Sequence, residues 1–485
     1  MTITGFLTNL ELATRPVHPE ARAAMDARWA ALPEGVKTPN QLLGRSAVGC
    51  EGTHGVFPKC NLTCSPCYHS ADANQVRIDG DHTVREVQRQ MEYLRLIRGP
   101  RAHAQLIGGE VSLLAPEDHA AALTMMRAYG REPMSMTHGD FDYEYLLAVV
   151  LGPDGERRFD RVSFAAHFDS LMRGRRGAAR PRSEAELDPF RRQFAHMFTD
   201  LRADQGIDSY LAHNMTVTPS NLGEVAEVTR AVLSMPYDML SFQPAAYMGD
   251  DRRWKEDFTS VGIDEVWQEI EEGAGQKIPW QGTQFGDPRC NRYTTGVLAR
   301  ERFAVLIDPE DPADLKARDT LLAHHGGMSF GGQSRGTLAV KVLRALILHP
   351  ADARILAGMG RRLIRRVGGI RALWRAWRTQ SVGIKTFVVH NFMDAEVVAP
   401  AWELMLQGQT SDEPAVREAQ ERLGACMYTM SHPDTGQLVP ACTQHSVLDP
   451  GANAELRRML PLRVKDPTGP SRALPGLTPQ ADPTG

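Results

Sequence analysis

Residues 60–67 read CNLTCSPC, and residues 104–110 read AQLIGGE. The first run carries Cys60, Cys64 and Cys67 with spacers of three and two residues. The second is a short apolar segment ending in two glycines and a carboxylate, as a strand entering a tight turn would read. VSLLAPEDHAAAL (111–123) follows it, and from about residue 104 short apolar segments alternate with longer amphipathic ones, the pattern of βα units and a mostly parallel sheet. Outward from this stretch, RVSFAAHF (161–168), AHNMTVTP (212–219) and MLSFQPA (239–245) read as further strands, and THGVFPK (53–59) as the first of the series. Between them, HTVREVQRQMEYLRLIRG (82–99) and LGEVAEVTRAVLSM (222–235) carry apolar residues at three- and four-residue spacing, the pattern of helices packed on a sheet. The alternation predicts an α/β fold, a full or partial β/α (TIM-like) barrel. Residues 171–189, rich in Arg, Gly and Pro, read as an exposed insertion. Beyond about residue 255 the pattern loses regularity and predicts a C-terminal α+β auxiliary domain. The expected organisation is an N-terminal segment 1–50, a barrel core 51–255, the auxiliary domain 256–455 and a Pro/Gly-rich disordered tail 456–485.

The chain has 485 residues, 42% hydrophobic and 24% charged, with a formal net charge of −4. These are the proportions of an ordinary folded protein, large enough for two or three units. Charge singles out no nucleic-acid partner, and none is expected. No run approaches the roughly 18 apolar residues of a membrane span, and MTITGFLTNLELATRP lacks the basic start and apolar stretch of a signal peptide. The expectation is a cytoplasmic chain. In a reducing compartment, cysteines argue for metal ligation or catalysis rather than disulfides. The seven divide into the tight trio and the scattered Cys50, Cys290, Cys426 and Cys442.

Thiolates suit iron–sulfur clusters and zinc alike, and both usually take four protein ligands. No fourth cysteine completes the loop, and His69 is the one local candidate. Three ligands would leave one metal position open to a substrate. The spacing Cys-x3-Cys-x2-Cys resembles the signature of the radical S-adenosylmethionine (SAM) superfamily. Gly108-Gly109-Glu110, about forty residues later, resembles that superfamily's GGE motif. The resemblance implies that Cys60, Cys64 and Cys67 hold a [4Fe-4S] cluster whose open iron chelates SAM. It further implies one-electron reduction by a ferredoxin- or flavodoxin-type reductase, cleavage of SAM to a 5'-deoxyadenosyl radical, and hydrogen abstraction from substrate. The glycines are expected to let backbone approach the ligand, and Glu110 to pair with its ammonium. Strand C-termini face the active site in a β/α barrel, so Ser163, His167, Asp169, Asn221 and Gln243 are candidate SAM or substrate contacts. Tyr68 is a candidate to flank the adenine. For each, the alternative is a hydrogen-bonded core or loop residue.

CMYTMSHPDTGQLVPAC (426–442) reads as a β-hairpin turning at Pro433-Asp434-Thr435-Gly436, which brings Cys426 and Cys442 towards one another. With Cys290 and Cys50 they are candidate ligands of an auxiliary iron–sulfur cluster or a zinc ion; buried free cysteines are the alternative. SFQP (241–244), NFMD (391–394) and Asp287-Pro-Arg-Cys290 add a resemblance, over about residues 45–450, to the archaeal tetraether lipid synthase group. That implies a lipid or other long hydrocarbon substrate and C–C bond formation at an unactivated carbon. No acidic residue lies between Asp352 and Asp394, where Arg354, Arg361, Arg362, Arg365, Arg366, Arg371, Arg375, Arg378 and Lys385 accumulate around Trp374 and Trp377. Broken at Gly368-Gly369 into two helices, this stretch suits peripheral contact at an anionic membrane through 354–385, the plainer reading being a solvated helix. The rival functional readings are a peptide or protein maturase and a non-enzymatic iron–sulfur electron carrier or zinc-stapled scaffold.

Overall fold

The computed structural model describes residues 3–47, 49–100, 102–254, 259–330, 333–379 and 381–462. Its main sheet has eleven strands: β1 Cys50–Gly52, β2 Ala102–Leu106, β3 Arg131–Thr137, β4 Arg161–His167, β5 Asp208–Val217, β6 Met239–Pro244, β7 Asn291–Ala299, β8 Arg302–Val305, β9 Val382–His390, β10 Tyr428–His432 and β11 Gln437–Pro440. Their spatial order is β8-β7-β9-β6-β5-β4-β3-β2-β1-β10-β11. The eight strands from β9 to β10 are parallel, and the flanking pairs β9–β7, β7–β8 and β10–β11 are antiparallel. Among the described residues β9 and β10 are not paired with each other. The expected barrel is therefore partial: eight parallel strands with an open seam.

Helices cover the outer face. Gly80–Arg98 starts where the Asp79 side chain accepts from the His82 N–H at 2.9 Å, and it buries Val87, Met91 and Leu94. Each such side chain contributes roughly 1.5–3 kcal/mol by leaving water. They join one core with Phe194, Phe198 and Leu201 of the helix Asp188–Gln205, Val228 and Val232 of Val225–Leu233, and the outward residues Phe164, Met215, Leu240 and Phe242 of the sheet. The predicted helices 82–99 and 222–235 thus exist, the second as a short 3-10 turn leading into Val225–Leu233.

Several expectations are corrected. The first strand is β1, and 53–59 is a turn-rich loop, because Gly55 at φ 66° and Pro58 interrupt extended pairing. β3 was not foreseen, since Pro133 stands in the middle of REPMSMT. The insertion 171–189 is not merely an exposed loop: Met172–Arg173 pair antiparallel with Thr63–Cys64 of the cysteine run. Arg175 is buried, lies 4.6 Å over the Phe168 ring and donates to the His138 carbonyl at 2.6 Å. Glu184 and Arg191 form a fully buried ion pair at 2.6 Å. Residues 256–455 supply both α and β elements, and two of their strands, β9 and β10, continue the parallel sheet across the boundary at 255. Helix Asp449–Met459 runs past the expected start of the tail, whose residues 463–485 lie outside the described residues.

The basic stretch folds as Asp352–Arg366 and Ile370–Arg378, parted at Gly368 (φ 97°) and Gly369 (φ 88°) as the sequence suggested. Three of its cations turn inward. Arg362 and Arg366 pair with Asp311 and the buried Asp314, and Lys385, on β9, reaches the carbonyls of Met235 and Tyr237. Arg361, Arg365, Arg371, Arg375 and Arg378 stay exposed beside Ile370, Trp374 and Trp377. No helix of the described residues is long and apolar enough to cross a membrane.

Candidate active site

The inner face of the curved sheet encloses one cavity, to which all eight parallel strands or the turns after them contribute. The period-2 alternation of strands sends Met134, Met136 and His138, Ala165, His167 and Asp169, Asn214 and Thr216, and Met239, Ser241 and Gln243 to its wall. Cys60, Cys64 and Cys67 line the same cavity. The cysteine loop is held against the turn after β2: Gly109 N–H donates to the Phe57 carbonyl at 2.7 Å and Glu110 N–H to the Lys59 carbonyl at 2.9 Å. A Cβ on Gly109 would stand 2.1 Å from the Lys59 oxygen, and one on Gly108 2.5 Å from the Phe57 ring. The two glycines are thus required by the crossing of two protein segments.

Two backbone amides point at the sulfurs, Leu62 N–H to Cys60 Sγ at 3.3 Å and His69 N–H to Cys67. The Cys60 N–H is itself fixed by Asn74 Oδ1 at 3.1 Å. Burial pushes the Cys60 thiol up to about 12 and Cys64 well above its ordinary value. It raises Cys67 as well, against the opposing pull of the nearly buried Arg253 guanidinium. Arg253 lines the cavity and was not foreseen, because nothing in its local sequence marks it.

The candidate residues divide clearly. Tyr68, His167, Asp169 and Gln243 line the cavity with Gly108 and Gly109. The Tyr68 ring lies 4.7 Å from Phe392, and its buried hydroxyl, like Asn214 Nδ2, has no hydrogen-bond partner among the described residues. His167 Nε2 contacts Asp169 Oδ2 and, at 3.0 Å, Thr216 Oγ1. Burial alone would raise the Asp169 carboxyl, but His167 and the N–H groups of Thr216 and Leu171 hold it below the usual carboxylate range. Glu110, by contrast, is fully buried and is not among the lining residues. Its Oε1 accepts from Ser112 N–H (3.0 Å), Ser112 Oγ (2.6 Å) and Thr137 Oγ1 (2.6 Å), and its Oε2 from His138 N–H at 2.7 Å. Asn221 is also structural, bonding Thr218 N–H, the Thr216 carbonyl and Glu184. Ser163 is half-buried on β4, below Ala165, and does not reach the cavity.

The predicted hairpin is present as β10 and β11, with Met430 opposite Val439. Cys426 and Cys442 at its ends line a second, smaller cavity together with Cys290, Asp287 and Arg422. Arg422 Nε donates to Cys290 Sγ at 3.1 Å, Met393 N–H to Cys442 Sγ at 3.5 Å, and Cys426 Sγ to the Tyr428 carbonyl at 2.8 Å. Burial pushes Cys426 up to about 12. Cys50 does not line this cavity. On β1 it faces the main cavity and accepts from Gln105 Nε2 at 3.0 Å. His390, Phe392 and Tyr428 line both cavities, so the two cysteine trios stand on either side of a shared wall.

No family model matches this chain, and no curated protein matches it. Among solved structures it is similar to Streptococcus suis SuiB at 12% identity and a TM-score of 0.27, over 41% of this chain and 40% of that one. It is also similar to native anSMEcpe with bound AdoMet, at 12% identity and a TM-score of 0.32, over 48% of this chain and 65% of that one. The chain thus spans less than two thirds of either, and likenesses of this strength carry no function with them.

Proposed function

We propose that this chain is a radical SAM enzyme that abstracts hydrogen from an unactivated carbon of a lipid or other long hydrocarbon. The observation that carries the reading is the convergence of Cys60, Cys64 and Cys67 on one cavity at the inner face of eight parallel strands. Amide N–H donors to thiol sulfur are the kind of contact that tunes iron–sulfur clusters, and Arg253 offers charge compensation. When bound, a [4Fe-4S] cluster with SAM supplies one-electron cleavage of the sulfonium and a carbon radical competent to take hydrogen. The chain's own contribution is containment and orientation. Tyr68 and Asn214 offer buried polar atoms without partners among the described residues, and His167 with Asp169 gives a charged edge. Met134, Met136, Met172 and Met239 form an adaptable apolar lining suited to a hydrocarbon and to exclusion of water.

Cys290, Cys426 and Cys442 are proposed to hold an auxiliary cluster, with an external ferredoxin or flavodoxin as electron donor. The exposed arginines and tryptophans of 354–378 complement an anionic lipid surface, through which an apolar substrate could reach the protein. The test is anaerobic reconstitution followed by incubation with SAM and dithionite. About eight irons per chain and formation of 5'-deoxyadenosine, lost in Cys64→Ala, are expected. Zinc in place of iron, or iron without SAM cleavage, refutes the reading.

A further inference from the structure

A small cavity adjoins the main one, sharing His69 and His445 with it, and its wall also includes His54, Gln444 and Asp449. Asp449 Oδ2 stands 3.0 Å from His445 Nδ1 and 3.8 Å from His69 Nδ1, and one donor atom from each of the three residues lies within 4.8 Å of the others. The two imidazoles are 5.4 Å apart and turned 80° to each other. An imidazole lone pair lies in the plane of its ring, so crossed rings meeting one carboxylate oxygen can aim at a common point. The partners behind them have the character of groups that orient metal ligands. Gln444 Nε2 donates to Asp449 Oδ1 at 2.7 Å, Gln444 Oε1 contacts His432 Nε2, and the His69 ring hydrogen-bonds the backbone at Gly108. His445 lies in the π-helical turn Gln444–Leu448 and Asp449 opens the helix that follows, four residues on, so both present to the same side. A second set, His324, His349 and Asp352, has comparable donor spacing but a different geometry. Its two imidazoles stack at 3.9 Å and 10°, which keeps their lone pairs in parallel planes.

We propose that His69, His445 and Asp449 bind one divalent first-row ion of the zinc class, which ties the C-terminal helix to the cysteine loop just beyond Cys67. Two neutral imidazoles and a carboxylate form a nitrogen/oxygen site, distinct in donor chemistry from either thiol trio, with a remaining position for water. The experiment titrates the iron-loaded full-length protein with cobalt(II). One equivalent giving visible ligand-field absorption, without the near-ultraviolet thiolate-to-cobalt band, is expected. The near-isosteric Asp449→Asn should bind cobalt at least about tenfold more weakly at unchanged iron content, and His445→Ala should behave likewise. Cobalt seen only with the thiolate band, or bound equally by Asp449→Asn, overturns the proposal. Iron content and SAM cleavage report on the cysteine centre and the cobalt spectrum on this site, so either reading can fail without the other.

Discussion

Replacing Glu110 with glutamine separates two roles that the GGE turn admits. In the structure its carboxylate accepts four hydrogen bonds, from Ser112 N–H, Ser112 Oγ, Thr137 Oγ1 and His138 N–H. An amide in the same place carries two N–H donors on one side. Whichever way it turns, it meets at least one donor that had faced an oxygen. Losing a charge-assisted bond costs about 1.5–3 kcal/mol, and a stranded buried N–H about 1–3 kcal/mol. Since the hydroxyls of Ser112 and Thr137 can rotate to relieve part of this, Glu110→Gln is expected to lower the unfolding free energy by about 2–5 kcal/mol. The assay is urea unfolding monitored by circular dichroism, paired with calorimetric SAM binding to the folded, cluster-loaded protein. Affinity per folded molecule should stay within about tenfold of the parent, a change of about 1.4 kcal/mol. An unchanged unfolding midpoint with SAM affinity reduced more than about a hundredfold would refute this reasoning and return Glu110 to the ligand's ammonium.

Cys50→Ala should leave iron content unchanged, whereas Cys442→Ala should remove about four irons per chain while sparing SAM cleavage; equal losses in both would disprove the partition between cavities. Arg371→Ala combined with Arg375→Ala should weaken binding to phosphatidylglycerol vesicles by about 2 kcal/mol, roughly thirtyfold, and high salt should abolish what remains. Vesicle binding that ignores both changes would rule out this surface. Burial alone would raise the Asp314 carboxyl, but Arg366, the Asp308 N–H and Arg362 hold it below its ordinary value. Its contribution to stability is therefore present above the unfolded-chain value near pH 4 and lost as pH falls through the lower folded value. Asp314→Asn should flatten acid unfolding in that window, and an unchanged acid profile would show that the Arg362–Arg366 cluster does not couple to folding.

The helices at 80–98 and 225–233, the hairpin over 428–440 and the break at Gly368-Gly369 were legible because each is written in short-range spacing: periodicity, a turn tetrapeptide, paired glycines. The cysteine loop and the strand before Gly108 were legible for the same reason. β3 was not, because Pro133 mimics a break, and β9 was not, because KTFVVH follows directly on a basic helical stretch. Among the candidate ligands, Tyr68, His167, Asp169 and Gln243 reached the cavity, while Ser163 and Asn221 did not. Ser163 shares the face of Ala165 and His167 but sits deeper along β4, and Asn221 is taken up by Thr218, Thr216 and Glu184, so depth along the strand and competing partners decide which side chains enter the site.

By itself, then, the sequence determined the local chemistry: three thiols on one loop, a glycine pair in the turn after a strand, two further cysteines at the ends of a hairpin, and a basic aromatic stretch split in two. Only the tertiary structure decided how these groups are used. It committed Glu110 to Ser112, Thr137 and His138, turned Arg362 and Arg366 onto Asp311 and Asp314, brought Arg253 to thiols nearly two hundred residues away in the chain, and put Cys50 in a different cavity from Cys290, Cys426 and Cys442. The reason is physical. Periodicity and turn propensity act over a few residues, whereas the partner of a buried charge is set by which distant segment the sheet brings within hydrogen-bonding distance.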